Sequence, residues 1–336
     1  MNLPNEILDK IIEISDNMSK NEISKDFRNI SDKYIGDKKG QSLLNKSNEA
    51  IAYAIARMPA TYVATMTAFK QILTKNKLKE NLNLNEFETV IDVGAGTGSA
   101  TLAICEMFTP KKVICLEKED VMIELGSKLL SESENKVVKN VDWKKFDIMD
   151  ASKINFCQKK ADVVVTSYML NEFGDGDVLK VVDSLWQMTE KLLVIIDPGT
   201  PKDYERLIKI KEFLENNGGF IIAPCTTCEK CGLPETDWCN FSCRVERTKL
   251  QKDVKLGTVP YEDEKFTYLA VSKIKYDEKN EKIARIIRHP LIKSNMVEVK
   301  LCLEGKIYNK IYTKKDKEIY KLVRKAKVGD VINVDE

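Results

Sequence analysis

Thr89-Val-Ile-Asp-Val-Gly-Ala-Gly-Thr-Gly98 decides the fold. A short β-branched run enters a Gly-rich turn, and Ser99-Ala-Thr-Leu-Ala-Ile-Cys-Glu-Met-Phe continues with helical spacing. Strand, turn and helix in that order open a doubly wound α/β domain. The glycines let the backbone approach a ligand and let the helix start beside it. The spacing is G-x-G-x-G, whereas a dinucleotide fingerprint wants its third glycine where this chain has Ser99. The turn therefore points away from a pyrophosphate and toward S-adenosylmethionine (SAM).

Outward from this turn, Lys112-Val-Ile-Cys-Leu-Glu117 is a second strand. Its terminal acid is placed to take both hydroxyls of a ribose. Asp162–Ser167 and Lys191–Asp197 are near-continuous apolar runs alternating with helical segments, the mark of a parallel sheet buried on both faces. Ligands of such sheets lie beyond the carboxyl ends of the strands. The rim is then Ser167, Asn171, Glu172, Asp197 and Gly199, with Asn171 and Asp197 reading equally as helix caps. Candidate SAM-binding residues are Asp92, Gly94, Gly96, Gly98, Glu117 and Ser167. The Asn/Asp-Pro-Pro-Tyr motif that marks methylation of a base amine is absent, and no general base stands out.

Residues 1–84 read as helical, with Pro59 expected to break or restart the Ala-rich segment around it. Arg57, Met58 and Tyr62 read as helix packing, with a substrate-facing role as the alternative. Downstream, Asp203–Asn217 reads as a helix ended by Gly218-Gly219, and Phe220–Ala223 as a strand. It leads into the block Ala223–Cys243, which holds Cys225, Cys228, Cys231, Cys239 and Cys243, five of the nine cysteines. Two C-x2-C steps share Cys228, and thiolates so spaced can face one metal centre. Zinc and an iron–sulfur cluster both suit such a set. The C-x3-C-x2-C spacing of radical-SAM enzymes is absent. Lys265–Lys273 alternates as a further strand, so the block is inserted between the last two strands of the sheet.

The tail shows strand-like runs at Ala284–Arg288, Met296–Leu303 and Lys306–Thr313, then a helix at Lys317–Lys325. From Arg244 onward there are 23 Lys+Arg against 15 Asp+Glu, a net of +8. The remainder of the chain therefore carries −6 of the total +2. This polarity fits a small β-barrel-like module lying on RNA, or a basic solvated face. With 336 residues the chain has length for about two domains. Its 43% hydrophobic and 32% charged residues are those of an ordinary globular protein. No apolar run approaches a membrane span, and the N-terminus resembles neither a secretory signal nor a transit peptide. The nine cysteines are then ligands or buried thiols of a cytoplasmic protein rather than disulfides.

Taken together, the chain resembles the methyltransferase-like proteins of the small ribosomal subunit. These include the mitochondrial assembly factor methyltransferase-like protein seventeen, its fungal counterpart and bacterial relatives. The resemblance rests on Ala56-Arg-Met-Pro-Ala-Thr-Tyr, Asp92–Gly98, Leu170-Asn-Glu, Pro198-Gly-Thr-Pro and Ala223-Pro-Cys. It continues through Asp237-Trp-Cys-Asn-Phe-Ser, Tyr261-Glu-Asp-Glu-Lys-Phe-Thr-Tyr, Arg285-Ile-Ile-Arg-His-Pro and Ala326-Lys-Val-Gly-Asp. It implies a class I SAM-methyltransferase sheet with N-terminal helices (1–84), a SAM-binding domain (85–222), a cysteine-rich metal insertion (223–260) and a last strand plus basic β-rich module (261–336). It also implies a 4Fe–4S cluster, with zinc as the rival, on Cys225, Cys231, Cys239 and Cys302. Cys228 and Cys243 are additions to the family's pattern, and Asp197 stands where the family has Glu. The implied partners are the small ribosomal subunit and its rRNA, with no membrane and no DNA. The implied activity is methyl transfer, or RNA binding in subunit assembly without turnover.

Overall fold

The computed structural model describes residues 1–16, 18–35, 46–74, 87–150, 160–225, 231–275 and 283–333. Helices α1 (Asn5–Ser15), α2 (Lys20–Ile35) and α3 (Ser47–Leu73) come first. Then follow β1 (Thr89–Val93), α4 (Ser99–Met107), β2 (Lys112–Glu117), α5 (Asp120–Leu130), α6 (Lys136–Lys139), β3 (Asp142–Lys145) and β4 (Ala161–Ser167). A 3-10 turn (Leu170–Glu172) precedes α7 (Asp175–Met188), β5 (Thr189–Pro198), α8 (Pro201–Asn216) and β6 (Phe220–Ala223). The strand order is β3-β2-β1-β4-β5-β8-β6, where β8 is Tyr261–Ser272. The run from β3 to β5 is parallel, and β8 returns antiparallel against β5, pairing Ile195 with Leu269.

The outer edge of β8 is shared. β6 pairs with its Ala270–Ser272 end, while β7 (Phe241–Glu246) pairs with its Tyr261–Phe266 end. The cysteine block is thus the excursion the chain makes between two half-strands on one sheet edge. One sheet face packs on α3, α4 and α5, and the other on α7 and α8, each with its own apolar core.

α3 runs unbroken through Pro59, contrary to the expected break. The ring forfeits one helical hydrogen bond, but residues on both sides of it are buried against the sheet and α4, and that packing holds the helix. Residues 75–84 of the expected helical region lie outside the described residues.

After α9 (Lys249–Lys255) and β8, the C-terminal module is a five-stranded sheet. Its strands are β9 (Ile283–Ile286), β10 (Leu291–Ile292), β11 (Met296–Leu303), β12 (Lys306–Thr313) and β13 (Val331–Asn333). Their order is β10-β11-β9-β13, with β12 on the other edge of β11. Among the described residues the sheet does not close on itself, so it is no barrel. α10 (Lys317–Lys325) covers one face instead, burying Tyr320 and Val323 on Val297, Val299 and Leu301.

Candidate functional sites

A recess of about 890 Å³ opens at the carboxyl ends of β1, β2 and β4, where the strand order reverses between β1 and β4. Gly94, Gly96, Glu117 and Ser167 line it, together with Tyr53, Met122, Phe146, Met169 and Glu172. Gly94 and Gly96 have φ of +68° and +56°, a region that favours glycine. This turn presents the Gly96 N–H to the Glu117 carboxylate at 2.7 Å. The other Glu117 oxygen accepts from the N–H groups of Lys118 and Glu119 at 2.7 and 3.0 Å. Burial raises the Glu117 pKa above the usual carboxylate value, and these bonds oppose the rise. Both oxygens keep lone pairs for a further donor such as a hydroxyl.

The remaining expected SAM residues sit elsewhere. Asp92 is fully buried behind the turn, where its Oδ2 accepts from the Thr101 N–H at 3.1 Å and the Thr101 hydroxyl at 2.8 Å. Gly98 is the N-cap of α4, pressed on Leu130. Asp197 is also fully buried, paired with Arg206 Nη1 at 3.3 Å, and the same guanidinium holds Asp203 at 2.8 Å. Gly199 accepts from the Trp238 indole at 2.9 Å.

Beside the recess, two segments singled out in the sequence meet. Arg57 of α3 forks onto Glu264 of β8 at 2.9 and 3.3 Å. The Tyr168 hydroxyl donates to the same carboxylate at 2.9 Å, and its ring lies 5.4 Å from the guanidinium centre. Arg57 is therefore an ion-pair partner as well as a packing residue. Tyr168 has φ of +57°, which a non-glycine residue keeps only when its surroundings over-determine it.

Cys225, Cys231, Cys239 and Cys302 line a second recess. It lies between α8, the block and the β9–β11–β12 face of the C-terminal module. Tyr204 donates to Cys231 Sγ at 3.2 Å, and the Gly305 N–H bonds to the Cys302 sulfur. Burial raises the pKa of the Cys225 and Cys239 thiols and pushes that of Cys302 up to about 12, with the neighbouring thiols adding to each rise. Among the described residues, no three His, Cys, Asp or Glu side chains are arranged to hold a metal ion. Cys243 is apart from this set. It lies buried on β7 in the core beneath α3. Cys228 lies outside the described residues.

Asp237-Trp-Cys239 explains how the block is seated. Asp237 accepts from Arg288 and from Lys300 at 2.8 Å, both in the C-terminal module. Trp238 turns the opposite way, to the Gly199 carbonyl at the end of β5. Cys239, the next residue, lines the recess. On the far side the Gly232 N–H donates to the Gly305 carbonyl at 2.7 Å. Sequence reasoning missed Tyr204, Tyr268 and Arg285 at this recess; only Arg285 carried a signal, as a charged residue inside an apolar strand run.

The sheet order, the antiparallel β8 and the recess at the β1/β4 crevice define a protein of the class I SAM-methyltransferase fold. Within that class, the model of the family described as mitochondrial small ribosomal subunit Rsm22 matches residues 47–333, and the chain belongs to that family. The ribosome assembly protein METTL17, mitochondrial, of Homo sapiens is 26% identical over 312 residues, covering 88% of this chain and 64% of that protein. This chain thus spans less than two thirds of its human relative. Among solved structures, a putative RNA methyltransferase from Pyrococcus horikoshii is 16% identical, covering 62% of this chain and 84% of that one, with a TM-score of 0.37. The magnesium protoporphyrin IX methyltransferase of Synechocystis PCC 6803 with bound SAM is 14% identical, covering 77% and 99%, with a TM-score of 0.39. Among the described residues, no helix is long and apolar enough to cross a membrane.

Proposed function

We propose that the protein is a SAM-binding assembly factor of the small ribosomal subunit that works in the cytoplasm and carries a 4Fe–4S cluster. The observation that carries the SAM reading is the Gly96 N–H held on Glu117 at the β1/β4 crevice. That arrangement leaves a carboxylate for the ribose and an open glycine backbone for the amino-acid moiety. Methyl transfer needs in-line placement of an acceptor more than acid–base chemistry, so this reading does not depend on a general base near Ser167.

For the metal, the donor set is four thiols, three from the cysteine block and one from β11. A lone zinc needs its thiolates about 2.3 Å from one centre. A cluster takes each thiolate on a different iron, and four thiols lining one recess are the donor set it needs. Cys225, Cys231, Cys239 and Cys302 would hold it, and its chemistry when bound is one-electron transfer or simple cross-linking of the module.

A second reading, SAM held without turnover, is favoured by Tyr168. Tyr168 lines the recess, and its hydroxyl and ring are both engaged by Glu264 and Arg57, so this side chain is not free to act on an acceptor. Calorimetry with SAM tests the first step, and absence of binding would sink both readings of the recess. Labelled-methyl transfer to small-subunit particles separates them. For the metal, anaerobically purified protein should be brown with a shoulder near ~400 nm; a colourless protein with one zinc per chain would overturn the cluster.

A further inference from the structure

Two buried hydrogen-bond donors border the cysteine recess without an acceptor among the described residues. Tyr268 of β8 has no exposed surface, and its hydroxyl has no partner among the described residues. Arg285 of β9 is 1% exposed. Its Nε donates to the Pro224 carbonyl at 2.5 Å and its Nη1 to the Gly329 carbonyl at 2.6 Å, while Nη2 has no partner among the described residues. The Tyr268 phenol has Arg285, Cys239 and Cys225 as its ionisable neighbours. Folded proteins seldom leave buried donors open, because each forfeits its bonds to water. Here both open groups are donors and one is cationic, so the occupant they suit is rich in acceptors and negatively charged. Four neutral thiols supply only weak acceptors.

Resting on the four-cysteine cluster reading, we propose that Tyr268 Oη and Arg285 Nη2 donate hydrogen bonds to sulfur atoms of the cluster and thereby set its reduction potential. Two donors already face ligand sulfurs in the same sense, the Tyr204 hydroxyl on Cys231 and the Gly305 N–H on Cys302. Reduction adds one negative charge to the cluster. Donors and a fixed cation favour that charge and move the potential upward. Arg285 joins this to the architecture, since the same guanidinium holds the start of the block at Pro224 and the turn before β13 at Gly329. Tyr268 and Arg285 are positioning residues here, not ligands.

The test uses the full-length protein reconstituted anaerobically with iron and sulfide, followed by a dithionite titration read by electron paramagnetic resonance. Tyr268→Phe and Arg285→Lys are compared with wild type. Tyr268→Phe should load the same iron and sulfide, and its midpoint should move to more negative potential. Without metal it should unfold at the wild-type temperature or above, because an orphaned hydroxyl is gone; a merely structural tyrosine would lower it. Arg285→Lys should move the midpoint the same way, and if it fails to load, Tyr268→Phe alone decides. A fully loaded Tyr268→Phe with an unmoved midpoint overturns the proposal, as does a metal-free Tyr268→Phe less stable than metal-free wild type. Wild type that takes up no iron and sulfide overturns the cluster reading itself, a result distinct from both.

Discussion

Asp92 is the penultimate residue of β1 and its carboxyl is fully buried; burial pushes its pKa up to about 7 against the pull of two hydrogen bonds from Thr101. In the unfolded chain the same group titrates near ~3.9. The folded value is the higher one, so the native state prefers the protonated acid. That contribution to stability is complete below the unfolded value and is lost as pH rises through about 7. Asp92→Asn, which stays neutral, should gain on wild type steadily across that window and level off above it. Urea unfolding of both proteins at several pH values checks this, and a gap that does not change with pH means the carboxylate is ionised throughout. Glu117 differs because its bonds run to the ligand-side turn. Removing a charged acceptor costs about 1.5–3 kcal/mol, so Glu117→Ala should weaken SAM binding roughly 10- to 100-fold by calorimetry.

At the scale of elements, the strand β7 shows what the sequence did and did not reveal. Phe241-Ser-Cys-Arg-Val-Glu alternates, burying Phe241, Cys243 and Val245 and leaving Arg244 and Glu246 exposed. That period of two is visible in the chain and assigns Cys243 to the core, but its place in a cysteine cluster masked it. The parallel strands and the Gly-rich turn were legible because buried β-branched runs leave a local signal. The acids of β8 were not, because their meaning lies in distant partners. Glu262 meets Arg247 and Lys255, Asp263 meets Arg244, and Glu264 meets Arg57. Asp237 belongs to the same kind, a surface-looking acid that holds two cations across an interface. Asp237→Ala should cost roughly 1–3 kcal/mol, since the pair is only partly buried. The loss should show as faster protease cleavage in β9–β13, while the SAM domain keeps its protection; equal loosening of both would mean that Asp237 does not act at this interface.

The whole molecule holds two bodies with separate cores, and the C-terminal module fills its own with Ile286, Val297, Val299, Leu301 and Tyr312. What joins it to the cysteine block is polar: Asp237 to Arg288 and Lys300, Gly232 to Gly305, and Arg285 to Pro224. Such contacts are individually worth about 1 kcal/mol and are lost readily when one partner shifts. A cluster on Cys225, Cys231, Cys239 and Cys302 would add covalent bonds across that same boundary, because Cys302 is on β11 and the other three are on the block. Metal loading would then act on the module's docking more than on either core. Amides of β9, β11 and β13 should exchange more slowly in the loaded than in the metal-free protein, while those of β1, β4 and β5 keep their rates. Cys302→Ser and Cys231→Ser should each abolish this difference and lower iron content to a similar extent. Cys243→Ser should keep full iron and lose only core stability. Hydrogen exchange with iron and sulfide assays decides it. A Cys302→Ser protein with full iron would move the fourth ligand elsewhere and leave the module held by its polar contacts and by Val328 in the main core.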